Sequence, residues 1–96
     1  MNRGLTDLTG WTFRRFQSAR SGKWRLCLLG QVDGRNVDTS AVASIDTASG
    51  VVTTCSGSRY RLVGPWAYAW TAGAPQALPD IVAWFGEWEA KEVGDE

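Results

Sequence analysis

The chain has 96 residues, ten Lys/Arg against ten Asp/Glu, and no histidine. This length suits one domain, and 44% hydrophobic with 21% charged residues excludes a disordered or collagen-like chain. No apolar run approaches the ~18 residues of a membrane span, and residues 1–10 do not resemble a signal peptide. We therefore predict one cytoplasmic domain, residues 1–96, with no membrane partner.

The zero net charge conceals a division along the chain. Residues 1–61 carry nine Lys/Arg and four Asp, which gives +5, whereas residues 62–96 carry one Lys and six Asp/Glu, which gives −5. Such asymmetry indicates either two separate partner surfaces or an acidic tail that folds back on a basic body.

Short segments rich in Trp, Phe, Val, Thr and Tyr alternate with Gly-, Ser- and Asp-containing turn signals. These residues favour strands, and loops this short join antiparallel neighbours because a parallel neighbour needs a long crossover. After a flexible N-terminal stretch at 1–10, the predicted strands lie near 11–17, 24–32, 37–45, 51–55, 59–63 and 66–70.

The stretch "DTASGVVTTCSGSRYRLVGP" at 46–65 contains two Ser-Gly pairs, Ser49-Gly50 and Ser56-Gly57, separated by five residues. Glycine supplies the positive φ that tight turns need. The stretch therefore predicts two consecutive hairpins that share the strand "VVTTC", with Gly57 at positive φ.

Alternation assigns the strand faces. In "WRLCLL", Trp24, Leu26 and Leu28 point one way and Cys27 the other, whereas "WTFRRFQ" places its two phenylalanines on opposite faces. A β-bulge at Arg14-Arg15 would return both rings to the core. Cys27 and Cys55 fit no metal spacing, so we interpret them as small buried residues, with a disulfide as the alternative.

The hydrophobic period changes near the C-terminus. Ile81, Trp84, Phe85 and Trp88 are spaced i, i+3, i+4 and i+7, which predicts an amphipathic helix over 79–92, followed by an acidic tail at 93–96. Trp84 and Phe85 are then expected to be buried against the sheet. The predicted fold class is α+β: a meander of five or six antiparallel strands, open or curled into a half-barrel, with one C-terminal helix packed on it.

No nucleophile elbow, phosphate-binding loop, dinucleotide fingerprint or zinc motif is present in the sequence. The aspartates that could form an acid–base pair, Asp33, Asp38 and Asp46, lie in or beside turns, where aspartate is favoured for backbone reasons. We expect a protein that is not an enzyme, with no catalytic residues, no cofactor and no metal site.

Two binding hypotheses remain. A row of exposed aromatic residues on the last strand, Trp66, Tyr68 and Trp70, would bind another protein or a second copy of the chain, because Trp and Tyr anchor interfaces. Alternatively, the sheet binds single-stranded nucleic acid through Arg14, Arg25, Arg59 and Arg61. With Arg15, these arginines would form the rim of the contact in the first hypothesis. The acidic C-terminal region would repel a polyanion, so protein binding is preferred.

The segment from 45 to 65, mainly its core "TTCSGSRYRL", resembles a strand–turn–strand block in small uncharacterised proteins of phages and mobile elements from GC-rich bacteria. The resemblance covers about a fifth of the chain. It implies a protein that binds a host factor stoichiometrically and blocks or redirects it, as anti-CRISPR proteins do. It implies no particular binding residues.

Overall fold

The computed structural model describes residues 4–94, and within them the chain forms five strands and one helix. Consecutive strands pair with one another, and the last pairs with the first, so the sheet closes into a barrel. The elements are β1 (Leu5–Gln17), β2 (Trp24–Val32), β3 (Arg35–Asp46), β4 (Val51–Thr54), β5 (Arg59–Leu62) and α1 (Leu78–Trp84).

The barrel closes through a parallel pair. β5 runs alongside the start of β1, from Leu5 opposite Arg59 to Leu8 opposite Leu62, whereas the other four pairs are antiparallel. In a meander of five strands the direction alternates, so the first and fifth strands point the same way. The prediction of a β-rich fold with a C-terminal helix is confirmed. The sheet, however, is mixed and closed, and is neither purely antiparallel nor a half-barrel.

Strand β1 takes part in two ladders. Its residues 5–8 pair with β5, and Thr9 and residues 12–17 pair with β2, with an irregularity between Thr9 and Thr12. Gly10 lies at this irregularity with φ of 55°, a conformation that glycine adopts without strain. Residues 5–10, which fall in the stretch expected to be flexible, are therefore part of strand β1, while residues 1–3 lie outside the described residues.

The predicted bulge at Arg14-Arg15 is wrong. Arg14 and Arg15 pair regularly with Cys27 and Leu26 of β2, so the side chains keep alternating. Phe13 is buried and Phe16 is half-buried on the opposite face of the strand. Because the two phenylalanines lie on opposite faces of β1, the strand needs no bulge between them.

The two predicted hairpins are confirmed. β4 pairs with β3 on one side and with β5 on the other. Gly50 and Gly57, in the turns at its two ends, have φ values of 73° and 87°. Each turn therefore uses a backbone conformation that side chains with a Cβ rarely adopt.

Residues 66–70 do not form the predicted sixth strand. Successive turns occupy this region, with the N–H groups of Ala69, Thr71 and Ala74 each donating to the carbonyl three residues earlier, at 2.9–3.0 Å. The segment begins directly after Pro65, and the Ala67 N–H donates to the Trp11 carbonyl at 2.9 Å. The alternating aromatic residues, which suggest one face of a strand, therefore lie in a loop that packs against β1.

Helix α1 is shorter than the predicted 79–92. It ends at Trp84, and Gly86 has a φ of 87°, which turns the chain out of the helix. Trp84 is 63% exposed, so the expectation that it is buried is wrong, whereas Phe85 is half-buried as part of the core surroundings. Residues 87–94 continue as an irregular segment, which we call the strap.

The strap fills a gap between β2 and β3. Pairing between these strands ends at Cys27 opposite Ala41, so the start of β2 has no β3 partner. Strap N–H groups supply the missing donors: Glu89 to the Trp24 carbonyl at 2.8 Å and Lys91 to the Val42 carbonyl at 3.0 Å. Gly94 then donates to the Cys55 carbonyl at 2.7 Å. Asp95 and Glu96, the end of the predicted acidic tail, lie outside the described residues.

The core occupies the barrel interior and the region where the C-terminal segment covers it. Its buried members are Leu8, Trp11, Phe13, Leu26, Leu28, Val42, Val52, Trp66 and Ile81. Both cysteines are buried and free, as small core residues rather than a disulfide. They border the same residue, since Cys27 is paired with Ala41 and the Cys55 N–H donates to the Ala41 carbonyl.

Candidate functional site: an aromatic cleft

Five aromatic side chains line an open cleft of about 540 Å³ between the barrel and the C-terminal segment. We call it the aromatic cleft, and its rings are Phe13, Trp66, Tyr68, Trp84 and Phe85. Strand β1 supplies the first, the loop after β5 the next two, and α1 with the residue that follows it the last two. The cleft therefore depends on three parts of the chain that are distant in sequence.

Trp66 holds the cleft together. Its ring makes edge contacts with Tyr68, Trp84 and Phe85, at centroid distances of 5.7, 6.1 and 6.1 Å. Its Nε1–H donates to the Thr12 hydroxyl at 2.9 Å, which fixes the indole to β1. A buried indole needs such an acceptor, and edge-to-face pairs are favoured by the aromatic quadrupole. Trp66 thus forms a rigid floor.

The two outer rings are available to a ligand. Tyr68 is 50% exposed and Trp84 63%, although each makes an edge contact with the buried Trp66. Within residues 4–94 neither the Tyr68 hydroxyl nor the Trp84 indole N–H has a hydrogen-bond partner. Each therefore offers an apolar face and a free donor, the combination found in residues that anchor interfaces.

One ion pair lies beside the rings. Arg14, which also lines the cleft, approaches Asp38 of β3 at 3.6 Å, and both side chains are more than half exposed. A pair this exposed contributes little to stability, on the order of 0–1 kcal/mol. Its effect is to leave the rim with charges of both signs and no strong preference for either.

The predicted partner-binding row is divided by the structure. Trp66 is 5% exposed, whereas Trp70 is 81% exposed and does not line the cleft. Trp66 and Tyr68 belong to one site, and sequence reasoning missed three of its rings: Phe13, Trp84 and Phe85. The helical spacing of Trp84 and Phe85 indicates that the two side chains share a surface. The prediction places that surface in the core, whereas in the structure it borders the cleft.

Most of the predicted arginines are engaged in contacts within the protein. Arg15 stacks over the Trp24 ring, with its guanidinium carbon 4.0 Å from the centroid. Arg25 donates to two strap carbonyls, at 2.8 and 3.2 Å. Arg61 pairs with Asp7 at 2.7 Å, and Arg59 is exposed on β5. Arg14 forms the ion pair with Asp38 described above. Four of the five predicted arginines therefore already contact other parts of the protein.

Cys27 is buried beside Arg14, one of the residues that line the cleft. Burial raises the pKa of the Cys27 thiol above its ordinary value, and the Arg14 guanidinium beside it offsets this in part. The reactive thiolate is therefore disfavoured. Residues 4–94 contain no group of three or more potential metal ligands, and none of their helices is long and apolar enough to cross a membrane.

Comparison of the chain with protein-family models, curated proteins and solved structures gives no match.

Proposed function

We propose that the protein is a small binding module that holds an apolar segment of another protein in the aromatic cleft. The observation that supports this most directly is the pair of exposed rings, Tyr68 and Trp84, mounted on the buried Trp66. A rigid aromatic site loses little side-chain entropy on binding, because its rings are already held in place. A role in blocking or redirecting a host protein, as the phage-protein resemblance implies, is the form of this function that we favour.

The bound segment is extended and carries at least one large apolar side chain. A cavity of about 540 Å³ has room for such a side chain, and its aromatic walls would bury it. The free donors of Tyr68 and Trp84 would then bind carbonyl groups of the partner's backbone. An extended segment exposes these carbonyls, whereas a helix uses them internally.

A second copy of this chain is a poorer occupant. The most exposed apolar side chain on the loop is Trp70, and a dimer could exchange these rings between clefts. Two indoles would bury roughly 300–500 Å² at ~150–250 Å² each, with a similar area of cleft. That total stays below the ~1,200–2,000 Å² of a stable interface. A different protein could contact a larger surface around the cleft and so reach the area of a stable interface.

Nucleic-acid binding through Arg14, Arg25, Arg59 and Arg61 remains the second hypothesis. The intramolecular contacts of Arg14, Arg25 and Arg61 weigh against it, as does the exposed acidic side chain at Glu92 on the strap. We expect no binding to DNA or RNA oligonucleotides tighter than ~10⁻⁴–10⁻⁶ M at about 150 mM salt. Fluorescence anisotropy with labelled single strands measures this, and a salt-sensitive nanomolar complex would reverse the ranking.

The proposal is tested by selecting binders from a random linear peptide display library and measuring their affinities by isothermal titration calorimetry. Selected peptides should be rich in large apolar residues. Trp84→Ala and Tyr68→Ala should each weaken them by about 2 kcal/mol, or roughly thirtyfold. At least half of each side chain is exposed, so the variants should keep the fold, which circular dichroism checks.

Trp70→Ala is the matched control, because it removes an indole that is exposed but lies outside the cleft. It should change affinity less than about twofold. If Trp70→Ala weakens the peptides as much as Trp84→Ala does, the cleft is the wrong site. If sedimentation instead shows a dimer that Trp70→Ala dissociates, the occupant is a second copy and the proposed partner is wrong.

A further inference from the structure

A second cavity, of about 340 Å³, lies near the far end of β1 and carries a different chemistry. Within the described part of the chain, its charged lining groups are all cationic: Arg20 from the β1–β2 turn, Arg25 from β2 and Lys91 from the strap. The three come from separate elements, so it is the fold that brings them together. Its volume is many times the ~30 Å³ that one water molecule occupies in the liquid.

The strap holds one of the cations, Arg25, and contributes another, Lys91. Arg25 is half-buried, and one of its terminal nitrogens donates to the Glu89 and Ala90 carbonyls at 3.2 and 2.8 Å. These bonds fix the guanidinium plane and leave its other N–H groups for a ligand. Lys91 is also half-buried, and its backbone N–H donates to the Val42 carbonyl. The Arg25 guanidinium therefore does not have to be ordered at the moment of binding, whereas Lys91 is fixed through its backbone alone.

The β1–β2 turn adds two oriented hydroxyl groups. The Ser18 Oγ accepts the Ser21 N–H at 3.3 Å, and the Ser21 Oγ accepts the Lys23 N–H at 3.3 Å. Because each oxygen accepts from the backbone, its own O–H is free to donate. Both serines line the cavity, so the turn can donate two neutral hydrogen bonds beside the three cations.

Among residues 4–94, no carboxylate lines this cavity. Within residues 4–94 the salt bridges are Arg14–Asp38 and Arg61–Asp7, and neither involves Arg20, Arg25 or Lys91. Three cations that share one partly enclosed space repel one another, and an anion placed among them removes that repulsion. Phe16, which is directly opposite Arg25 in the β1–β2 ladder, gives the cavity an apolar wall.

We propose that this cavity binds a phosphate monoester of a small molecule. A monoester carries about −1.5 to −2 charges near neutral pH and three acceptor oxygens, which suits three cations and two hydroxyl donors. The ring of Phe16 would contact the organic part of the ligand. This site is independent of the aromatic cleft and does not rest on the function proposed for the cleft.

The test is a titration of the folded protein, followed through the backbone amide NMR signals of residues 18–23. The probes are phenyl phosphate, inorganic phosphate and chloride at equal ionic strength. Phenyl phosphate and inorganic phosphate should shift these signals with saturation below about 20 mM, with phenyl phosphate the tighter. Shifts that chloride reproduces, or no shift with either phosphate, would overturn the proposal.

The double variant Arg20→Gln/Lys91→Gln should weaken phenyl phosphate by at least about tenfold, since it removes two charge-assisted contacts. Its matched control, Arg35→Gln/Arg59→Gln, removes two exposed cations outside the cavity and should change affinity less than about twofold. An equal loss in both variants would show a diffuse charge effect and no site. Oligothymidylate, which carries phosphodiesters, is the last probe, and tighter binding of it than of phenyl phosphate would overturn the assignment to a monoester.

Discussion

The hairpins from β2 to β5 and the C-terminal segment from 63 to 94 are stabilised in different ways. Each hairpin strand pairs with its neighbour in the chain across a short turn. The C-terminal segment instead makes hydrogen bonds across long separations: 53 residues between Trp11 and Gly64, 64 between Arg25 and Glu89, and 72 between Arg15 and Glu87. The structure of the hairpins is determined by turn residues that act locally. The structure of the C-terminal segment is determined by contacts that exist only when the barrel has formed.

The difference also separates scaffold from binding surface. Both cavities that we assign to ligands need residues from the C-terminal segment together with residues from β1. The hairpins by themselves would supply neither the exposed rings of the cleft nor the lysine of the basic cavity. Function in this protein therefore depends on how well the less regular region is docked, and substitutions in the two regions should have different effects.

The largest effect is expected for Trp66→Ala, which removes the ring that joins the loop, the helix end and β1. The loss of a buried tryptophan costs about 3–5 kcal/mol, a large part of the ~5–15 kcal/mol that stabilises a typical domain. Urea unfolding measures it. Trp70→Ala, the control in the same loop, should stay within about 0.5 kcal/mol because its ring is exposed. Similar losses in both variants would mean that the loop is not docked through Trp66.

In the hairpin region, Gly57→Val should lower the free energy of unfolding by about 1–3 kcal/mol. The φ of 87° at Gly57 is strained for a β-branched side chain. Gly57→Asn is the matched control and should cost less, because asparagine tolerates the left-handed region. A urea midpoint that is the same for glycine and valine would contradict the turn geometry.

A smaller effect is expected at the junction of the two regions. Arg25→Met keeps the apolar stem of the side chain but loses the hydrogen bonds to the Glu89 and Ala90 carbonyls. Since Arg25 is half exposed, the cost should be about 1 kcal/mol. The amides of Glu89 and Lys91 should exchange with solvent faster, while amides in the β4–β5 ladder stay unchanged. Equal acceleration in both places would show that the strap and the hairpins unfold as one unit.

The smallest effect concerns the turn between β3 and β4. The N–H groups of Ser49 and Ala48 donate to the Asp46 carboxylate at 3.3 and 3.0 Å and lower its pKa below the ordinary value. The ionised form is the one stabilised by folding. Its contribution is therefore present above the ordinary aspartate pKa and is lost as the pH falls through the folded value. An NMR titration should give a lower pKa in the protein than in a peptide of residues 44–52, and an equal value would refute the turn contacts.

The same contrast explains what could be read from the sequence. β2 was predicted with its observed bounds because alternation and turn residues act over a few positions. The segment 66–70 was wrongly predicted as a strand because its aromatic residues favour sheets, while the contact that folds it, Ala67 with Trp11, is distant in sequence. The exposure of Trp84 was missed because helical spacing shows which residues share a face, not what covers that face.

The parallel pairing of β1 with β5 has a consequence for how the chain is synthesised. Residues 5–8 leave the ribosome before their partners at 59–62, which follow more than fifty positions later. Until then residues 5–8 form an unpaired strand edge, which can associate with other chains. Closing a contact over such a distance is entropically slow, so folding should be limited by barrel closure. A nascent chain stopped before β5 would hold its first hairpins and still lack the strand that closes them.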